Sequence, residues 1–270
     1  MWQLDWDDAF NNFPNIENPN SLLEEWEQRS SSFKSNSAVI GKMELDVPYG
    51  DHPRERYDVF APHKKSKGTI VFLHGGFWFR TGREHWSFTA QGILSQGWTV
   101  VIPSYPQAPD VKITQITNSI SKLVYKILND FNGSIRMIGH SAGGHLASRM
   151  VCKKLLKNNA GKRIEKIISV SGLYDLRPLL MTKLNDILTL NYEEAMHESC
   201  FLYDPIDTKM TCWVGADERP EFLRQNRILA EAWSKKSKNI ESYYDPGKDH
   251  FTVIDQLEEK ESLLTQSITK

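Results

Sequence analysis

From Thr69 onward, short apolar β-branched runs alternate with segments of helical period, and this rhythm leaves few architectures open. Thr69-Ile-Val-Phe-Leu-His74, Trp98-Thr-Val-Val-Ile-Pro103, Ile135-Arg-Met-Ile138, Lys166-Ile-Ile-Ser-Val170, Met210-Thr-Cys-Trp-Val-Gly215 and Ile240–Asp245 read as strands. Several are apolar on both alternating faces, as buried parallel strands are. Helices are expected over 84–96, 113–128, 143–158, from Pro220, and over 251–268. The clearest is 113–128, where Ile113, Ile116, Ile120, Leu123, Val124, Ile127 and Leu128 share one face. Strands over 41–47 and 56–60 precede the series, around a Pro48–Pro53 turn region. The expected fold is α/β, with a mostly parallel central sheet and helices on both faces. Residues 173–205 break the rhythm and read as a small lid insertion over the strand ends.

The 270 residues suffice for one domain with a sizeable core, so 1–270 is expected as a single unit. Residues 1–35 are polar with scattered aromatics (Trp2, Trp6, Phe10, Phe13, Trp26), and such an arm is expected to pack over the main domain. A formal net charge of -1 gives no ground for nucleic acid or an anionic membrane as partner. Cys152, Cys200 and Cys212 form no disulfide pattern. The N-terminus lacks the basic-then-apolar order of a secretory signal, and no apolar run reaches the roughly 18 residues of a membrane span. A cytoplasmic protein acting on a small molecule is expected, with a homodimer left open as its assembly.

Gly139-His-Ser-Ala-Gly143 matches G-x-S-x-G and stands between a strand and a helix, the context in which that motif forms a nucleophile elbow. The tight turn lifts the Ser141 hydroxyl to the strand end. The helix that follows points its N-terminus at the same spot, which favours developing negative charge. The expectation is a serine nucleophile at Ser141, and the bland alternative is an ordinary glycine turn.

Acyl transfer needs preorganised donors for a carbonyl oxygen that gains charge. His74-Gly-Gly-Phe-Trp78 follows the strand at 69–73. Its glycines let the main chain turn N–H groups toward a pocket, and the expected donors are those of Gly76 or Phe77 together with Ala142. His74 is read as holding this loop. Phe77 and Trp78 stand beside these donors, and at least one of them is expected to wall the pocket. The base belongs in a late loop, and His250 is the only histidine after His197. The acid belongs just past the strand 210–215, where Asp217 and Glu218 are adjacent. Register from Gly215 favours Glu218, residue preference favours Asp217, and Asp249 reads as a loop-capping carboxylate.

No H-E-x-x-H, Cys/His cluster of zinc spacing, G-x-G-x-x-G or P-loop is present, so neither a metal nor a nucleotide cofactor is expected. The segments HGGFW (74–78) and GHSAGGHLA (139–147) resemble the kynurenine formamidase (arylformamidase) branch of the α/β hydrolases. So do Ser171–Pro178, Pro220–Gln225, the ending Asp249-His-Phe251, and the arm residues Asn11, Asn12, Pro14 and Trp26. The resemblance spans nearly the whole chain. It implies the α/β-hydrolase fold and hydrolysis of N-formyl-L-kynurenine to L-kynurenine and formate, with Phe77, Trp78 and Tyr105 expected to face the substrate ring. It puts the acid two residues before Pro220, at Glu218, although the branch often has Asp there and this chain has Asp one place earlier. The histidine-rich H-x-G-T-H pattern of metal-dependent formamidases is absent. A short-chain carboxylesterase would use the same Ser141, His250 and acid, whereas a ligand-binding protein on this fold would show a broken set.

Overall fold

The computed structural model describes residues 4–13, 21–36, 38–157, 160–237 and 239–270. Trp2 and Pro14, noted above, and the expected helix end at 158 lie outside the described residues. Eight strands form one sheet: β1 (Lys42–Pro48), β2 (Arg56–Ala61), β3 (Gly68–Leu73), β4 (Thr99–Pro103), β5 (Ser134–His140), β6 (Ile164–Val170), β7 (Lys209–Gly215) and β8 (Ile240–Asp245). Their order is β1-β2-β4-β3-β5-β6-β7-β8. β1 and β2, and β2 and β4, pair antiparallel. Every later pairing is parallel.

The helices are α1 (Trp6–Phe10), α2 (Leu22–Lys34), α3 (Ala90–Ser95), α4 (Ile113–Asp130), α5 (Ala142–Arg149), α6 (Asn185–Leu188), α7 (Tyr192–Glu198), α8 (Pro220–Ser234), α9 (Thr252–Asp255) and α10 (Leu263–Thr269). Alternation along the strands divides the core into two layers. Val71, Leu73 and Met137 pack with Ile120 and Leu123 of α4, Leu146 of α5, and Phe222 and Trp233 of α8. Ile70, Phe72 and Ile138 face the other way, onto Trp26 and Phe33 of α2, Ile93 of α3, Val253 of α9 and Ile268 of α10. Helices thus cover both faces, α2 contributing Trp26 and Phe33 to the second layer.

Three helices are shorter than the sequence pattern suggests, each for a local reason. Over 83–89 two 3-10 turns precede α3. The Ser87 and Thr89 hydroxyls donate to the Arg83 and Trp86 carbonyls at 3.3 and 2.7 Å, in competition with helical pairing. α5 stops at Arg149 because the next turn is recruited elsewhere. Lys153 N–H donates to Asp204 O and Ile206 N–H to Val151 O, both at 2.8 Å. The closing helix is split at Ser262, whose hydroxyl donates to Gln256 O at 2.6 Å and caps α10 by accepting from Thr265 N–H.

Residues 173–205 do interrupt the rhythm, as short turns with α6 and α7. Leu173, Leu176, Leu179, Leu188 and Ala195 bury into the layer of α4, α5 and α8. Among the described helices none is long and apolar enough to cross a membrane.

Candidate active site

Ser141 stands between β5 and α5 with φ 54° and ψ -120°, a conformation that costs a non-glycine residue about 1–3 kcal/mol. The surroundings hold it there. Ser141 N–H donates to Val170 O at 2.8 Å, and its carbonyl accepts from His145 N–H at 3.1 Å. The flanking glycines are required by contact: a Cβ on Gly139 would lie 2.1 Å from Gly143 O, and one on Gly143 would lie 2.0 Å from Leu73 O.

β7 ends at Gly215, and the chain folds back so that Glu218 reaches the strand end. One Glu218 oxygen, Oε1, accepts from Gly215 N–H at 2.9 Å and from the Ser171 hydroxyl. The other, Oε2, accepts from His250 Nδ1 at 2.7 Å. Asp217, one residue earlier, is exposed. The geometry thus separates the two adjacent carboxylates by their contacts. Glu218 and His250 are 6% and 5% exposed, and Ser141 is 2% exposed. Asp249 caps the loop, its Oδ1 accepting from Phe251 N–H and Thr252 N–H at 2.9 and 2.8 Å.

His250 is fixed from behind as well. His140 Nε2 donates to the His250 carbonyl at 2.8 Å, and burial pushes the His140 imidazole well below its ordinary pKa, so it stays neutral. Ser141, His250 and His140 all line one cavity of about 480 Å³. Among the described residues no hydrogen bond joins the Ser141 hydroxyl to His250; such bonds often tighten only when substrate is present.

The loop 74–78 reaches the same cavity. Gly76, Phe77 and Trp78 all have positive φ, at 106°, 47° and 61°. Gly76 and Phe77 line the cavity. Among the described residues the N–H groups of Gly76, Phe77 and Ala142 meet no acceptor, and Ala142 opens α5, where the N–H lacks an intrahelical partner. His74 steadies the loop: Nδ1 donates to Gly75 O at 2.8 Å, the ring stacks on Tyr105 at 4.2 Å, and its carbonyl accepts from Tyr105 OH at 2.8 Å. Burial lowers its pKa to about 4.

Trp78 and Tyr105 do not line the cavity, contrary to the expectation that they face a substrate ring. Both are fully buried. Trp78 packs edge-on against His145 behind the elbow, and Tyr105 is engaged with His74. Residues 173–205 contribute no lining residue among those described, so the wall expected of a lid is supplied elsewhere. It comes from the arm: Asn12, Phe13, Leu22, Leu23 and Trp26 line the cavity with Arg80, Thr81, Trp86 and Phe251. Trp26 packs at a tilt against Trp86, with ring centroids 4.4 Å apart, and Phe13 against Phe251 at 5.7 Å. Sequence reasoning missed this wall because nothing local ties residues 12–26 to a loop at 76–86. The one signal was the unusual aromatic content of a polar arm.

Among the described residues no group of three or more His, Cys, Asp or Glu side chains converges as a metal site. The arrangement is a buried hydroxyl at a strained turn, an imidazole oriented by a carboxylate, and N–H donors beside both. The profile of the α/β-hydrolase fold family matches residues 70–253. The chain belongs to the α/β-hydrolase fold family. Kynurenine formamidase from Danio rerio is 27% identical over 237 residues, which cover 84% of this chain and 80% of that one. Isoprenylcysteine alpha-carbonyl methylesterase from Arabidopsis thaliana is 27% identical over 150 residues, 50% of this chain and 35% of that one. A crystal structure from a Silicibacter species, provisionally named a thioesterase, superposes with a TM-score of 0.93 at 36% identity, covering 99% of this chain and 100% of that one. This α/β hydrolase therefore has formamide-cleaving and ester-cleaving relatives.

Proposed function

We propose that the protein is a serine-dependent arylformamidase that hydrolyses N-formyl-L-kynurenine to L-kynurenine and formate. The observation that carries this reading is the 2.7 Å hydrogen bond from His250 Nδ1 to the buried Glu218, in the cavity that also holds Ser141 at its elbow. That bond leaves His250 Nε2 as the basic nitrogen.

In the proposed reaction Ser141 Oγ attacks the formyl carbon while His250 Nε2 takes the hydroxyl proton. The carbonyl oxygen becomes an oxyanion held by the N–H groups of Ala142 and of Gly76 or Phe77. The C–N bond then breaks, and the leaving amine takes the proton from His250. Water, deprotonated by the same nitrogen, attacks the formyl-Ser141 ester; the bond to Oγ breaks, Oγ regains the proton from His250, and formate leaves. Likeness to the Danio rerio kynurenine formamidase over most of both chains supports the formamide over other acyl groups.

Cleavage of short acyl esters with the same residues is the second reading. The likeness to the Arabidopsis methylesterase, which covers half of this chain, supports ester cleavage and says nothing of the size of the acyl group. Hydrolysis of N-formyl-L-kynurenine and of 4-nitrophenyl acetate by the purified protein decides between them. Efficient ester cleavage without measurable deformylation would sink the arylformamidase reading. Labelling by a fluorophosphonate probe tests the serine: Ser141→Ala is expected to abolish it, and undiminished labelling would mean another nucleophile.

A further inference from the structure

Cys152 and Cys200 are far apart in the chain, and the fold brings them together at the end of α5 distant from Ser141. Lys153 N–H donates to Asp204 O and Ile206 N–H to Val151 O, both at 2.8 Å, so the chain after α5 pairs with the end of the insertion and sets Cys152 opposite Pro205. Tyr203 N–H donates to Cys200 O at 3.0 Å, and this turn folds Cys200 back over α5. The Cys152 thiol donates to Ser148 O at 3.6 Å and the Cys200 thiol to His145 O at 3.8 Å. Those two carbonyls stand about one helical turn apart, and the sulfurs lie within hydrogen-bonding reach of each other.

A buried cation stands beside the pair. Arg149 Nε donates to Glu198 Oε2 at 3.1 Å, and the guanidinium is also within hydrogen-bonding reach of Cys152. Burial acts to raise the pKa of the Cys152 thiol, but the Cys200 S–H and Arg149 bring it below its ordinary value. Burial holds Cys200 well above its own, and Cys212, where burial alone acts, is pushed up to about 12. One sulfur of the pair is therefore suited to attack, while the other keeps its proton. Both are buried, but the chain neighbours Lys153 and Phe201 are exposed and half-buried, so the pair lies just beneath the surface.

We propose that Cys152 and Cys200 are a redox-sensitive dithiol, which a hydroperoxide closes to a disulfide that locks the insertion onto α5. The Cys152 thiolate attacks the terminal oxygen of the hydroperoxide. The O–O bond breaks, and the departing hydroxide or alkoxide takes up the proton that Cys152 gave up. Cys152 is then a sulfenic acid. The Cys200 sulfur attacks it, the S–O bond breaks, and the hydroxide leaves with the Cys200 proton as water. The two sulfurs give up two electrons in all, and the peroxide accepts them. Neither cysteine lines the cavity at Ser141, so this chemistry is separate from the proposed hydrolysis and does not depend on it.

The test treats the native protein with hydrogen peroxide, unfolds it, and counts free thiols by alkylation and mass spectrometry. One alkylated thiol, at Cys212, is expected in place of three, with Cys152 and Cys200 recovered in one cross-linked peptide that dithiothreitol releases. Cys152→Ser is expected to slow oxidation of Cys200 about tenfold or more, whereas Cys200→Ser should leave Cys152 reactive and carry it on to sulfinic acid. The disulfide form of the native protein is expected to melt about 5–10 °C higher, because the bond closes a long loop of the unfolded chain. Three free thiols after peroxide, or a cross-link through Cys212 or between molecules, would overturn the pair. The reverse order of reactivity in the two variants would overturn the role of Cys152, and an unchanged or lower Tm in the disulfide form would overturn the lock. Should either serine variant fail to fold, the peptide map of the native protein decides alone.

Discussion

Glu218 accepts a 2.7 Å hydrogen bond from His250 on one oxygen and is held on the other by Gly215 N–H and the Ser171 hydroxyl. Any turn of the carboxylate short of exchanging its two equivalent oxygens breaks these contacts. The imidazole is thus oriented by a group that is itself immobilised, and the 250 carbonyl is fixed in turn by His140. Ser171 also has positive φ, at 53°, so its hydroxyl reaches Glu218 from a turn as constrained as that of Ser141.

The two adjacent carboxylates should therefore behave differently. Glu218→Gln keeps the shape and removes the charge that would stabilise a His250 cation, and kcat is expected to fall about 10²- to 10⁴-fold. Asp217→Asn, on an exposed side chain, is expected to stay within about twofold. Steady-state kinetics on 4-nitrophenyl acetate suffices to read both. Comparable losses in the two variants would remove Glu218 from its proposed role.

Acid should destabilise the fold well above the carboxylate range. Burial lowers the pKa of His74 and His145 from 6.5 to about 4. Both are neutral in the fold and protonate in the unfolded chain near 6.5, so falling pH favours unfolding. The stability they lend is complete above pH 6.5 and is lost as pH falls from there toward 4. Each should cost about 2 kcal/mol between pH 7 and 5. Urea unfolding at those two pH values measures the loss, and His145→Gln should make the dependence shallower. A midpoint that does not move would show that these imidazoles are not held neutral.

Gly143→Ala tests the elbow through stability alone. The added methyl would sit 2.0 Å from the Leu73 carbonyl, a backbone atom of the neighbouring strand. A forced shift of β3 against α5 should cost about 4 kcal/mol or more, lowering Tm by on the order of 10 °C. Thermal unfolding followed by circular dichroism reads it, and a Tm equal to that of the native protein would contradict this packing.

The sheet was legible because its strands are buried on both faces. Ile70 and Phe72 pack one layer, Val71 and Leu73 the other, so the runs are apolar throughout and strand identity needs no partner to be read. The places of Ser141, the loop 74–78, Glu218 and His250 were legible for a related reason: each stands at a short offset from a strand end. Trp78 and Tyr105 were misjudged because residue type does not reveal which loop aromatics the core takes up: Trp78 packs on His145 and Tyr105 on His74. The cavity wall was legible only as an arm rich in aromatics, not as a wall of this cavity. It joins residues 12–26 to 76–86 and 251 by packing between segments far apart in the chain, and scattered aromatics in a polar arm do not reveal which surface they cover. The insertion 173–205 misled for the opposite reason: a break in rhythm marks extra chain but not the face on which it lies.

The arm should govern substrate binding, and the insertion should not. Phe13 lines the cavity beside Phe251, with ring centroids 5.7 Å apart, and truncation removes an aromatic contact worth about 0.5–1.5 kcal/mol beyond its area. For an aryl substrate Phe13→Ala is therefore expected to raise KM about 3- to 10-fold while kcat changes little, because Ser141, Glu218 and His250 are held by other contacts. Tyr192, exposed on the first turn of α7, offers the contrasting site, since it lies on the insertion and does not line the cavity. Tyr192→Ala should leave KM within about twofold. Saturation curves for both variants on one aryl ester settle the matter. A KM that responds to Tyr192 rather than Phe13 would return the role of lid to the insertion.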